Sequence, residues 1–311
     1  MTPEYYANIY RLYATFMGAA GGNKRLFRIA SGASSGDYRW TEVLMRDIPH
    51  TLLEGIALHH YATDWNHKSS ATEYTEAEYF DSMRRAFRME ELVQAHSTIM
   101  DRYDPKKKIA LVVDEWGGWY DVEPGTNPDF LYQQSTMRDA MIAGLTLNIF
   151  NNHADRVRMA NLAQTVNVLQ AVVLTNEKRI LLTPTYHVME MYTVHHDAVA
   201  LPIDVRSTMY TLGAVSLPAV HASASRDRNG AMHLSLVNIN PDSTQDVTVD
   251  IRGFSCTTVS GRILASEKIQ DHNTFEDPDR VRPAGYSGAQ LEGTTVRAKL
   301  PPCSVVVLSL R

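Results

Sequence analysis

The run IALVVDEWGGW, residues 109 to 119, carries apolar residues straight into Asp114 and Glu115, then an indole, two glycines and a second indole. A carboxylate at the mouth of a buried strand beside aromatic walls is placed to act as an anionic nucleophile or an acid-base group. Flat indoles such as Trp119 also suit the apolar faces of a sugar ring. The bland alternative is that Asp114 and Glu115 cap the next segment while Trp116 and Trp119 are core. Two other apolar runs end in polar groups, one in His59, His60 and Tyr61, the other in Asn151, Asn152 and His153. The pairs His59-His60 and His195-His196 do not read as metal ligands, because adjacent residues on a strand point to opposite faces. One histidine of the first pair is expected to hydrogen-bond a substrate hydroxyl or the nucleophile. Gly21-Gly22 and Gly117-Gly118 match no phosphate-binding pattern, so no cofactor is expected.

These groups need elements that bring them to one edge. Residues 25 to 190 alternate short apolar runs with longer amphipathic ones, the signature of β-α units around a parallel sheet. The strand candidates are Arg25 to Ala30, Gly55 to His59, Ile109 to Asp114 and Leu145 to Phe150. The clearest helix runs from Glu76 to about Asp101, and another is expected after Thr2-Pro3, with Tyr6, Ile9, Tyr10, Tyr13 and Met17 on one side. The thirteen methionines read mainly as core filler on helices. All three polar groups then fall at strand carboxyl ends, the ligand-binding edge of α/β folds. Four units fit either a small doubly wound sheet or half of a barrel. Beyond about residue 195 short alternating strands with turn signals predict an antiparallel sandwich. Arg226 to Gly230 reads as a hairpin turn and Asn240-Pro241-Asp242 as a second.

With 311 residues, 44% hydrophobic and 21% charged, the chain has the composition of one or two folded domains. A net charge of -5 and a pI near 6.2 offer no basic field for a nucleic acid. No apolar run reaches the roughly 18 residues of a membrane span, so no membrane partner is expected. Cys256 and Cys303 are too few for a disulfide framework, and one bridge between them is left open. The opening residues lack the pattern of a secretory signal, which favours the cytoplasm, and they begin so abruptly inside an element that truncation is expected.

The strings TPEYYANIYRLYA, LHHYATDW, VVDEWGGWY, NNHADRVRMANLAQTVNVLQA and LTPTYHVMEMYTVHHDAVALP resemble, in order over residues 2 to 202, the blocks of glycoside hydrolase family 51 α-L-arabinofuranosidases. The resemblance implies the C-terminal half of a (β/α)8 barrel over residues 1–195, followed by a jelly-roll-like sandwich over 196–311. It implies retaining hydrolysis of terminal α-L-arabinofuranosyl units with Glu115 as nucleophile. By matching position, His59 and Tyr61 would stand near Glu115, Trp119 would line the sugar pocket and Gln164 would contact the sugar. The family's acid-base Asn-Glu pair precedes the block that here opens the chain, so a fragment without that glutamate, inactive by itself, is expected. Asp64, Asp121 and Asp155 are the acids closest to the mouth, and no family pattern makes any of them the proton donor. The implied partner is an arabinose-containing carbohydrate, and the intact parent could form a homo-oligomer. The rival readings are a non-catalytic carbohydrate-binding remnant and another barrel glycosidase, such as an endoglucanase or xylanase.

Overall fold

The computed structural model describes residues 1–18 and 26–311. Gly21-Gly22 and the start of the strand expected from Arg25 lie outside the described residues. Contacts divide the chain into two compact units: residues 1–60, 88–116 and 153–162, and residues 61–87, 117–152 and 163–311.

In the first unit, α1 (Pro3–Phe16) begins where the spacing predicts, with the Thr2 hydroxyl accepting from the Tyr5 amide at 3.3 Å and proline in the first turn. Its buried face is Pro3, Ala7 and Ala14, whereas Tyr13 and Met17 are exposed. The expected aromatic stripe therefore packs only in its first half: Tyr6 and Tyr10 are partly buried, the Tyr6 ring 5.5 Å from that of Trp40 and the Tyr10 hydroxyl donating to the Leu52 carbonyl at 3.1 Å. Small residues complete the face against α2 (Tyr38–Asp47). The first strand, β1 (Ile29–Ser34), starts four residues later than expected and is made of small residues. The reason is close approach to the next strand: a Cβ on Gly32 would lie 1.5 Å from the Ala57 carbonyl oxygen, and the register shifts between Ala30 and Ala33.

The remaining α/β elements are β2 (Gly55–Tyr61), α3 (Glu76–Tyr103), β3 (Ala110–Gly117), α4 (Met137–Asn152) and β4 (Val157–Ala160). The strands form one sheet in the order β1-β2-β3-β4, with β1/β2 and β3/β4 parallel. The run Leu145 to Phe150, expected as the fourth strand, is instead the middle of α4. Met137 through Thr146 are all buried, so this helix is enclosed on every side and shows no polar stripe to mark its period. The actual fourth strand is short and begins beside Arg156. That guanidinium is fully buried and donates to Asp104 Oδ2 at 3.0 Å and to the Ile109 carbonyl at 2.8 Å. Asp104 also accepts from the Ile109 amide at 2.7 Å, which ties the start of β3 to the start of β4.

The second unit adds a hairpin of β5 (Val173–Asn176) and β6 (Arg179–Leu182), then α5 (Pro184–Met191) and the sandwich. Its strands are β7 (Val199–Leu201), β8 (Met209–Leu212), β9 (Val215–Pro218), β10 (Val220–Arg226), β11 (Met232–Asn238), β12 (Gln245–Asp250), β13 (Val259–Ala265), β14 (Ala284–Gly285), β15 (Ala289–Glu292), β16 (Thr295–Leu300) and β17 (Ser304–Leu310). One sheet runs β14-β13-β17-β11-β10-β7 and the other β12-β16-β15. Leu234, Leu236, Val306 and Leu308 meet Val296, Ala298 and Leu300 in the core. Every residue of β11 is buried, because α4 covers part of the sheet: Asn151 donates to Ser223 Oγ and Asn152 to the Ala222 carbonyl, both at 3.0 Å. The turn after Arg226 does close the β10/β11 hairpin, with Asp227 Oδ1 accepting from the Asn229 and Ala231 amides. Asn240-Pro241-Asp242 is no hairpin, since it joins β11 to β12 of the other sheet. Cys256 and Cys303 are free thiols.

Candidate active site

Because β2 and β3 are neighbours, the groups that end them arrive side by side. His59 Nε2 lies 3.0 Å from Asp114 Oδ1, and Nδ1 lies 3.1 Å from Glu115 Oε2. A neutral imidazole has one N–H, so donating to both carboxylates requires the imidazolium. The Asp114 hydrogen bond is the main influence raising the His59 pKa above its ordinary 6.5; partial burial opposes it and the Glu115 charge adds to it. The Glu115 side chain is 37% exposed, open enough for a ligand to reach. His60 points to the other face, is buried, and places Nδ1 2.9 Å from Ser35 Oγ.

A second group assembles within the other unit. The Tyr61 ring meets Trp119 edge-on at 5.0 Å, and Trp65 meets Trp119 at 5.3 Å. Lys68 Nζ stands 4.7 Å from the centre of Trp119 and 5.4 Å from that of Trp65. The two indoles of the DEWGGW run differ in fate: Trp116 is fully buried, whereas Trp119 is partly exposed and packs beside Tyr61, Ala163 and Leu169. Gln164 follows Ala163 at φ +66° and is exposed.

Support for this aromatic group comes from Arg138, which is fully buried with its guanidinium 3.7 Å from the Tyr74 ring and 3.5 Å from the Tyr120 ring. It donates to Ser69 Oγ at 3.0 Å and to the Ser70 and Ala71 carbonyls at 2.9 and 3.2 Å, fastening the segment that carries Trp65 and Lys68. Gln133 Oε1 accepts from the Tyr120 amide at 2.9 Å. Gly117 holds φ +130°, and a Cβ there would lie 2.5 Å from Gln170 Cγ; Gln170 in turn donates to Asp139 at 2.9 Å. Only glycine admits this backbone so close to that side chain.

The third expected group is not at this edge. Asn151 and Asn152 close α4, and His153 and Asp155 precede β4, at the amino edge of the sheet. There His153 Nε2 lies 2.6 Å from Glu90 Oε1 and Asp155 pairs with Lys107. Asp64 is engaged by Arg85 at 2.9 Å. No group of three metal-ligating side chains occurs among the described residues. Sequence reasoning passed over Trp65, Lys68 and Arg138. The spacing of Trp65 four residues beyond Tyr61 was available as a signal, but nothing local marks Arg138, which acts across about 70 residues of chain.

A parallel β-α sheet with carboxylates on its carboxyl edge, continued in one chain by an antiparallel sandwich, is the combination found in barrel glycosidases with a C-terminal sandwich domain. The chain belongs to the α-L-arabinofuranosidase C-terminal domain family, whose model matches residues 114–304. It is 45% identical over its whole length to an intracellular exo-α-L-arabinofuranosidase of Bacteroides ovatus, of which it covers 61%. It superposes with a TM-score of 0.97 on a family 51 arabinofuranosidase from Xanthomonas axonopodis pv. citri, at 43% identity, covering all of this chain and 63% of that one. A family 51 enzyme from Bifidobacterium longum shares the fold, with a TM-score of 0.84 at 24% identity. The fold is accordingly the C-terminal half of a (β/α)8 barrel followed by a sandwich, and the chain spans about three-fifths of the length of these relatives.

Proposed function

We propose that this chain carries the nucleophile of an exo-acting, retaining α-L-arabinofuranosidase, and that Glu115 is that nucleophile. The observation that carries the reading is the Glu115 carboxylate at the end of β3, with one oxygen 3.1 Å from the His59 ring nitrogen. Attack by Glu115 on the anomeric carbon forms an ester to the sugar as the glycosidic bond breaks, and water then cleaves that ester with net retention. The His59 imidazolium holds the carboxylate in place and, with Asp114, keeps charge balanced around it. Tyr61 and Trp119 supply the aromatic wall for the furanose, and Gln164 a polar contact to it. Residues 1–195 form the barrel portion and 196–311 the sandwich.

The substrate class is arabinose-containing oligo- or polysaccharide, and the names of relatives that call them intracellular support action inside the cell. Self-association is proposed for the intact protein and is read by sedimentation. The test uses an aryl α-L-arabinofuranoside whose phenol is acidic enough to depart without a proton donor. Intact-mass and peptide analysis should find one pentosyl unit on Glu115 in the purified chain and none in Glu115→Gln. A pentosyl unit on any other carboxylate, or equal release of phenol by both proteins, would overturn the assignment.

A further inference from the structure

The residue that follows β1, Ser35, is held at φ +47°, a left-handed conformation that is strained for a serine and persists where the surroundings over-determine it. Three hydrogen bonds do so here. The Ser35 amide donates to the His59 carbonyl at 2.8 Å, its hydroxyl lies 2.9 Å from His60 Nδ1, and its carbonyl accepts from His96 Nε2 at 2.8 Å. His96 comes from α3, is fully buried, and has its other ring nitrogen 2.8 Å from the Thr41 hydroxyl of α2. Because a carbonyl only accepts, Nε2 carries the proton and Nδ1 accepts from Thr41, which fixes one neutral tautomer. Burial, the largest influence on this ring, pushes its pKa below the ordinary 6.5 and keeps it neutral. A polar pair between two helices costs desolvation that an apolar pair would not. This pair continues, through Ser35, to the backbone of His59, whose ring bridges Asp114 and Glu115.

We infer that Ser35 is a positioning residue for the nucleophile: Thr41 and His96 lock it, and it locks the end of β2 so that the His59 imidazole meets both carboxylates. Thr41, His96, Ser35, His59, Asp114 and Glu115 all belong to the first compact unit. His59 is gripped from both sides, its backbone by Ser35 beside β1 and its ring by the two carboxylates of β3. This inference rests on the reading of Glu115 as the nucleophile.

The test compares His96→Leu, which removes both hydrogen bonds of the ring, with His96→Gln, whose amide can donate to the Ser35 carbonyl and accept from Thr41. Two quantities are measured on the purified chain: the rate at which Glu115 takes up a pentosyl unit from the activated aryl arabinofuranoside, and the His59 titration midpoint by nuclear magnetic resonance. His96→Leu should slow the labelling about tenfold, the loss expected when a reacting group is misplaced by a fraction of an ångström. It should also lower the His59 midpoint as the bond to Asp114 loosens. His96→Gln should restore both. Thr41→Val, nearly the same shape, should give a smaller change of the same sign, and it decides the matter if circular dichroism shows His96→Leu unfolded. A folded variant with a lower Tm but unchanged labelling and midpoint, or equal losses in His96→Leu and His96→Gln, overturns the positioning role and leaves the proposed function standing. No label on Glu115 in the unaltered chain overturns the proposed function, and the hold on His59 is then decided by the titration alone.

Discussion

Exchanging Asp114 for Asn should lower the pKa of His59, because the Asp114 hydrogen bond is the largest influence holding it up and only the Glu115 charge would remain to oppose burial. Imidazole resonances followed by nuclear magnetic resonance against pH report this directly, and a titration midpoint that does not move would contradict the imidazolium bridge. Since His59 donates to two carboxylates, the exchange should also shift the pH profile of Glu115 glycosylation, with the alkaline limb moving to lower pH as the second N–H is lost earlier. Much of this was legible in the chain itself. The string LHHY and the string VVDEW each carry a chemical group to a strand end, and strand alternation separates His59 from its neighbour His60 without any coordinates. What residue types could not say was that Asp114 and Glu115 share one imidazole, since that depends on β2 and β3 being neighbours.

Loss of the guanidinium in Arg138→Met should free the segment from about residue 62 to 75. It removes three hydrogen bonds from a buried cation and leaves two carbonyls and a hydroxyl to find other partners. The expected cost is about 3 kcal/mol of unfolding free energy, that of leaving buried carbonyls and a hydroxyl without their donor. Limited proteolysis should cut first within this segment, and cutting elsewhere first would show that Arg138 does not fasten it. Gly32→Ala is expected to act on the sheet instead, since its Cβ collides with backbone at Ala57 rather than with a side chain that can turn away; slower amide-protection recovery or faster exchange confined to β1 and β2 would report it. Period-based reading succeeded for α3 and β3, where a polar stripe or an uninterrupted apolar run makes the element type unambiguous. It failed for α4, because LTLNIF inside a helix enclosed on all sides alternates in the same way a strand does. It also missed β4, whose four residues VRMA include an exposed arginine and rely on Arg156, outside the strand, to fasten their start.

Across the whole molecule the histidines pull stability in opposite directions with pH, and His195, packed against β10 and β11 of the sandwich, should dominate. His195 has Nδ1 2.7 Å from Ser225 Oγ and Nε2 2.6 Å from Ser235 Oγ, and its pKa is pushed down to about 4, first by burial and then by the neighbouring His233 and His196. The unfolded chain binds a proton at this residue below about 6.5 while the folded chain refuses it, so stability is intact above 6.5 and is lost progressively as pH falls toward 4. A shift of that size corresponds to about 3 kcal/mol. His59 and His153 have raised values and act in reverse, adding stability below about 6.5 that disappears as pH rises through their folded values. Both are only half-buried, so solvent screening makes their effect the smaller one. Carboxylates held below their ordinary range, such as Asp271 beside Ser266 and Arg280, contribute only at still lower pH. Two successive acid-induced losses are therefore expected, and the first should be assignable. Thermal unfolding of the unaltered chain should shift downward between pH 7 and pH 5. In His195→Gln, which cannot gain the proton, Tm should be lower at pH 7 but should change much less over the same interval. An equal downward shift in both proteins would mean that some group other than His195 governs the first acid transition.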